Sequence, residues 1–108
     1  MREQRRHPRV RVSLYVDWGI NKVCALKGRV TSLSAGGCFV QTDEQAQVAQ
    51  AIYLRLCLPE ERLLRGAVRY HLPGVGFGLE FQDLTIEDRL ALEDLVDYYS
   101  RQGMKDEG

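Results

Sequence analysis

The sequence predicts a mainly β protein: a six-stranded antiparallel β-barrel with a C-terminal α-helix and a flexible N-terminal arm. Three observations carry this. Short segments of alternating apolar and polar residues, each bounded by turn residues, follow one another with no helical pattern between them. A single stripe of period 3.6 occurs, and only after Thr85. The first nine residues have almost no apolar content. An open sheet of so few short strands leaves two unpaired edges, and closing it into a barrel removes both. A chain of 108 residues has room for one domain with one core.

The elements follow in order. Residues 1–9 form the arm, and residues 10–102 the barrel plus helix. Val10, Val12, Leu14 and Val16 alternate with polar residues as a half-buried strand, and Asp17-Trp18-Gly19 with Asn21 supplies turn chemistry. Lys22 to Leu33 reads as the second strand, with Gly28 as a bulge or bend. Ser34-Ala35-Gly36-Gly37 is a tight turn, Cys38 to Thr42 a short third strand, and the Gln-rich stretch Asp43 to Gln50 a connector. Ile52, Leu54, Leu56 and Leu58 make a strict period-two face closed by Pro59, and a partner strand runs from about Arg62 to His71. After Pro73-Gly74, the apolar residues Val75, Phe77, Leu79 and Phe81 alternate with Gly76, Gly78, Glu80 and Gln82. One face of this last strand is heavy and the other nearly bare, a pattern that goes with close approach of backbone or ligand. Thr85 with Asp88 caps the helix, and Leu92, Leu95, Val96 and Tyr99 form its stripe. Gly103 is the expected stop, leaving 103–108 as a disordered tail.

Charge is balanced overall, with 15 basic and 15 acidic residues. Its distribution is uneven: Arg2, Arg5, Arg6, Arg9 and Arg11 crowd the start, and Glu87, Asp88, Glu93, Asp94 and Asp97 dominate the end. Any anion-binding activity belongs at the N-terminus. Cys24, Cys38 and Cys57 are odd in number and lack a Cys-x-x-Cys spacing, so they read as reduced core thiols and not as a disulfide framework or zinc site. No apolar run approaches the roughly 20 residues of a membrane span, which predicts a soluble, cytoplasmic protein. His7 and His71 have no ligand-type neighbours at metal spacing, and neither a nucleophile elbow nor a P-loop occurs, so no enzyme, metal or cofactor is expected.

The informative constellation is Arg5-Arg6-His7-Pro8-Arg9, with its RxxxR spacing, followed by Ser32-Leu33-Ser34-Ala35-Gly36-Gly37. The second segment reads as [D/N]xSxxG with serine in the first place. In this order and on this strand pattern, the pair resembles the two motifs of the PilZ family of bacterial cyclic di-GMP receptors. The resemblance extends to Gly78-Leu79-Glu80-Phe81 and the helix that follows. It implies that Arg5 and Arg9 grip guanine edges and phosphates with Arg6 as helper, and that Ser34 and Gly37 stand for the motif serine and glycine. Tyr70 occupies a position where the family often has an aromatic; it either stacks on the ligand or fills the barrel wall. Ser32 stands where the family has Asp or Asn. A hydroxyl is shorter and uncharged, and losing a charge-assisted hydrogen bond costs roughly 1.5–3 kcal/mol.

The function implied is a sensor or adaptor domain that orders its arm on cyclic di-GMP and signals to a separate protein, for example of a motility or pilus system. Two alternatives stand beside it. One is a PilZ-like protein-interaction module that does not bind the nucleotide, to which Ser32 points. The other is a small-barrel nucleic-acid binder, against which the acidic helix and the neutral overall charge argue.

Overall fold

The computed structural model describes residues 8–57 and 60–107, with the backbone alone over 103–107. Six strands close into a barrel in the order β1-β2-β3-β6-β5-β4, every neighbouring pair antiparallel. They are β1 (Val10–Gly19), β2 (Leu26–Ser34), β3 (Gly37–Gln41), β4 (Ala51–Leu56), β5 (Arg62–Leu72) and β6 (Gly76–Gln82); α1 (Ile86–Glu107) follows. The period-two faces point as the alternation requires. Val16, Val30, Val40, Ile52, Leu54, Leu64, Val68, Phe77 and Leu79 fill the interior, and α1 inserts Leu92 and Val96 into the same cluster. Thr85 accepts a hydrogen bond on Oγ1 from the Asp88 amide at 3.0 Å, the expected cap.

Four local expectations are corrected. Asp17-Trp18-Gly19 is not a turn but the end of β1, because Trp18 continues the even-numbered inward row and packs edge-to-face on Phe77 at 4.9 Å between ring centroids. The chain reverses later, between Ile20 and Val23, so β2 starts at Leu26 instead of Lys22. Gly28 is not a bulge, since pairing runs through it without a break. Its missing side chain makes room: a methyl there would lie 2.8 Å from Val40 Cγ1 and 3.2 Å from Trp18 Cδ1. Cys24 and Cys38 are buried as expected, but Cys57 is exposed, because it follows the end of β4.

The helix also outlasts its expected stop at Gly103, continuing to Glu107. A glycine inside a helix costs only about 1 kcal/mol relative to alanine, too little to end one by itself. Residues 103–107 of the expected disordered tail are therefore helical, and Gly108 lies outside the described residues, as do Leu58, Pro59 and residues 1–7 of the arm. Val75, expected on the heavy face of the last strand, instead sits half-exposed in the turn before β6.

The real bulges lie elsewhere. The register shifts between Arg11 and Leu14 of β1, between Val30 and Ser32 of β2, and between Val68 and Tyr70 of β5. Those in β2 and β5 each insert one extra residue and re-aim the residues after it, whereas in β1 the inward row continues through the shift to Leu14 and Val16.

Candidate functional site

The β2–β3 connection is a two-residue hairpin, Ala35-Gly36, between the paired residues Ser34 and Gly37. Ser34 is buried, and its hydroxyl is spent on the turn itself. It accepts from the Gly36 and Gly37 amides, both at 3.1 Å, and donates to the Gly37 carbonyl at 3.3 Å. Gly37 has a packing reason for its identity: β3 crosses β6 so closely that a methyl there would lie 2.2 Å from the Leu79 carbonyl oxygen. Within the described structure, both residues shape the turn that the sequence pattern marks.

Arg9 reaches the same end of the barrel from the start of β1. It is exposed, and its Nη1 donates to the Ser32 hydroxyl at 3.2 Å. Ser32 thus holds the arginine in place from the neighbouring strand. Directly beneath, Cys38 is wholly buried, and burial pushes its thiol up to about 12 despite the nearby Arg9 charge, which pulls the other way.

The third wall comes from β5 and β6. In strict alternation Tyr70 would share the inward face of Leu64, Gly66 and Val68. The bulge at Arg69 breaks that phase and turns both Arg69 and Tyr70 outward. Tyr70 then lies over Gly78: a methyl on Gly78 would come within 2.3 Å of Tyr70 Cε2, so a side chain there would push the ring off this position. Phe39, paired with Gly78 from the other side, stacks on Tyr70 at 6.1 Å and 27°. Tyr70 is therefore a partly exposed aromatic platform on the outer face and not a filler of the interior. Next to it, Arg69 and Glu80 form an exposed ion pair.

These parts enclose one open cavity of about 670 Å³, lined by Arg9, Ser34, Gly37, Arg69, Tyr70, Gly78, Glu80 and Arg89 among others. The volume is in the range of small-molecule sites. Three guanidinium groups face one carboxylate there, Glu80, and that carboxylate is already engaged by Arg69. The arrangement suits a planar, anionic ligand of nucleotide size: cations for phosphates, an aromatic for a ring.

Of the residues expected at the site, Arg9, Ser34, Gly37 and Tyr70 come together around this cavity. Ser32 does not line it but anchors Arg9. Arg5 and Arg6 lie outside the described residues. Sequence reasoning missed Arg69, Glu80 and Arg89. The bare face of β6 marked the neighbourhood, but nothing in the local pattern announces a bulge at Arg69 or the approach of the first turn of α1, which carries Arg89. Among the described residues no group of three or more His, Cys, Asp or Glu is placed to hold a metal ion, and no helix is long and apolar enough to cross a membrane.

Comparison with known proteins adds the following. The PilZ domain family model matches residues 3–98. No curated protein is significantly similar in sequence. Among solved structures, the inhibitor of motility MotI/DgrA of Bacillus subtilis superposes with a TM-score of 0.73 at 22% identity, covering 95% of this chain and 53% of that one. The MrkH–c-di-GMP complex of K. pneumonia gives 0.77 at 16% identity, covering 96% and 56%. The PilZ domain of YcgR from Escherichia coli, solved with c-di-GMP, gives 0.75 at 12% identity, covering 96% and 97%. The chain thus spans about half the length of the MotI/DgrA and MrkH structures and nearly all of the YcgR domain. At these identities the likeness is one of fold.

Proposed function

This chain belongs to the PilZ domain family, and on that premise we propose that it is a cyclic di-GMP receptor that acts by binding and not by catalysis. The observation that carries the reading is the single cavity where Arg9, the last arginine of the RxxxR segment, meets the Ser34–Gly37 turn and the Tyr70 platform. Two of the structures with this fold, those of MrkH and of the YcgR domain, were solved with c-di-GMP. Cyclic di-GMP has two phosphates and two guanines, and an arginine fork serves both, pairing with phosphate oxygens or with guanine O6 and N7.

The magnitudes are compatible. A bidentate arginine–guanine pair discriminates by about 1–3 kcal/mol in DNA complexes, and a base stacked on an aromatic contributes about 1–3 kcal/mol. Four or five such contacts, drawn from Arg5, Arg9, Arg69, Arg89 and Tyr70, reach the roughly 8 kcal/mol of a micromolar complex. Fixing each arm residue costs roughly 1–2 kcal/mol, so ligand and arm order are coupled. On this reading the ligand draws the arm that precedes Arg9 onto the barrel, and the ordered arm is the surface a separate protein detects. The fold-level likeness to an inhibitor of motility makes a component of a motility apparatus one class of partner.

A second reading, a PilZ domain that contacts proteins without the nucleotide, draws on one observation: the Ser32 hydroxyl is taken by Arg9 and the Ser34 hydroxyl by its own turn. Isothermal titration with cyclic di-GMP, of the wild type and of the Arg5→Ala/Arg9→Ala double variant, decides between them. The receptor reading expects micromolar binding that weakens at least a hundredfold in the double variant. A folded chain that gives no heat leaves the interaction module.

A further inference from the structure

A guanine carries two kinds of edge. O6 and N7 accept hydrogen bonds, whereas N1–H and the 2-amino group donate them. The cavity is rich in arginines that satisfy the first kind, yet arginines accept nothing. The second kind needs an acceptor, and the two hydroxyls nearest the turn do not supply it: Ser32 lies off the cavity lining, where it receives Arg9, and Ser34 has both lone pairs and its proton spent within its own hairpin. Among the described residues lining the cavity, Glu80 is the one carboxylate.

Its setting is open. Glu80 projects from β6 between Gly37 on β3 and Ala67 on β5, so the residues paired with it leave space on both flanks. Two residues back along the same strand face, at about 7 Å for an extended chain, Gly78 lies under the Tyr70 ring. Arg69, which the β5 bulge turns outward, holds the Glu80 carboxylate through an ion pair and lines the same cavity. A carboxylate, a guanidinium and an aromatic face therefore stand side by side on one wall. Together they complement a guanine: the ring lies against Tyr70, Glu80 accepts from N1–H and the 2-amino group, and Arg69 donates to O6 or N7. Adenine offers no matching pair of neighbouring donors.

We infer that Glu80, held in place by Arg69, is the residue that reads the donor edge of a guanine in this cavity and so sets the base specificity of the site. The inference rests on the cyclic di-GMP reading above.

The test is a cycle over the 2-amino group. Wild type and Glu80→Ala are each titrated with cyclic di-GMP and with cyclic di-inosine monophosphate, whose bases differ from guanine only in lacking that group. Because Glu80→Ala also frees Arg69 to attract phosphate, the absolute affinity of the variant for one ligand is not diagnostic; the ratio between ligands is. In the wild type, loss of the amino group weakens binding tenfold or more, as for a hydrogen bond to a charged acceptor. In Glu80→Ala the two ligands bind within about threefold of each other. An equal penalty in both proteins overturns the role of Glu80 while leaving the receptor reading intact. A wild type that binds neither ligand removes both. Glu80 is exposed, and an unchanged urea midpoint followed by Trp18 fluorescence checks that the variant is folded.

Discussion

Cys38 sits in the barrel wall opposite Leu33 and Leu79, with no path to solvent. Burial disfavours its thiolate, so the folded protein keeps the thiol proton to about pH 12, against an ordinary value of 9.0. The sign follows from linkage. Below pH 9 both states hold the proton and stability is unaffected; between about 9 and 12 the unfolded chain ionises first and stability falls. At pH 10.5 the loss from this one group is on the order of 2 kcal/mol, and urea unfolding of the wild type against Cys38→Ala at pH 8 and 10.5 should show it as a steeper decline in the wild type. Cys57, by contrast, is exposed. A thiol reagent at pH 8 is expected to label it at once and to reach Cys38 only on unfolding. At this scale the sequence was legible where a residue's own chemistry decides. It placed a tight turn at Ser34 to Gly37. It did not separate Cys57 from the two buried thiols, because all three precede or follow apolar residues and only the end of β4 makes the difference.

Among the elements, β5 and α1 bring to the site the arginines that the local sequence pattern did not mark. β5 carries the bulge that turns Arg69 and Tyr70 outward, and α1 brings Arg89 over the same cavity from its first turns. The helix start is fixed by Thr85, whose side chain accepts from the Asp88 amide, and by the ion pair of Asp88 with Arg62 of β5 at 3.0 Å. Both partners of that pair are about one-fifth exposed, so it is less screened than the surface pairs. Thr85→Ala removes the cap alone. It is expected to cost about 1 kcal/mol in chemical denaturation. If Arg89 contributes to the site, the same change should weaken cyclic di-GMP binding a few-fold, as the helix start loosens; an unchanged affinity would place Arg89 outside the bound complex. Element existence and type were readable from periodicity, including the cap, the hairpins and the apolar stripe of α1. Element ends were not. Trp18 extends β1 because Phe77 receives it, and Phe77 is 59 residues away in the chain.

The molecule has one core, and α1 belongs to it. Leu92 is almost completely buried and lies in the same cluster as Trp18, Ile52 and Phe77. The helix is therefore no separable appendage. Leu92→Ala should lower stability by about 2–5 kcal/mol, and Trp18 fluorescence and helical circular dichroism should still change together. A helix signal lost at lower temperature than the Trp18 signal would show that α1 folds on its own account. The same closed wall positions the cavity: Arg9, the β2–β3 turn, β5, β6 and α1 meet at one end because the strand order puts β3 beside β6 and β6 beside β5.

The sequence by itself determined what depends on near neighbours. Period-two alternation, turn residues and a capped stripe dictated six strands and a helix, and the spacing of Arg5, Arg9 and the Ser32–Gly37 segment pointed to the family. Tertiary structure alone decided what depends on strands distant in the chain. It set Tyr70 outward over Gly78, joined Arg69 to Glu80, gave the Ser32 hydroxyl to Arg9 and carried Arg89 to the cavity. The physical reason lies in the bulges. One unpaired residue costs little in local pattern yet reverses the face of every residue after it, and whether a strand takes that extra residue depends on the register it must keep with both neighbours around a closed barrel.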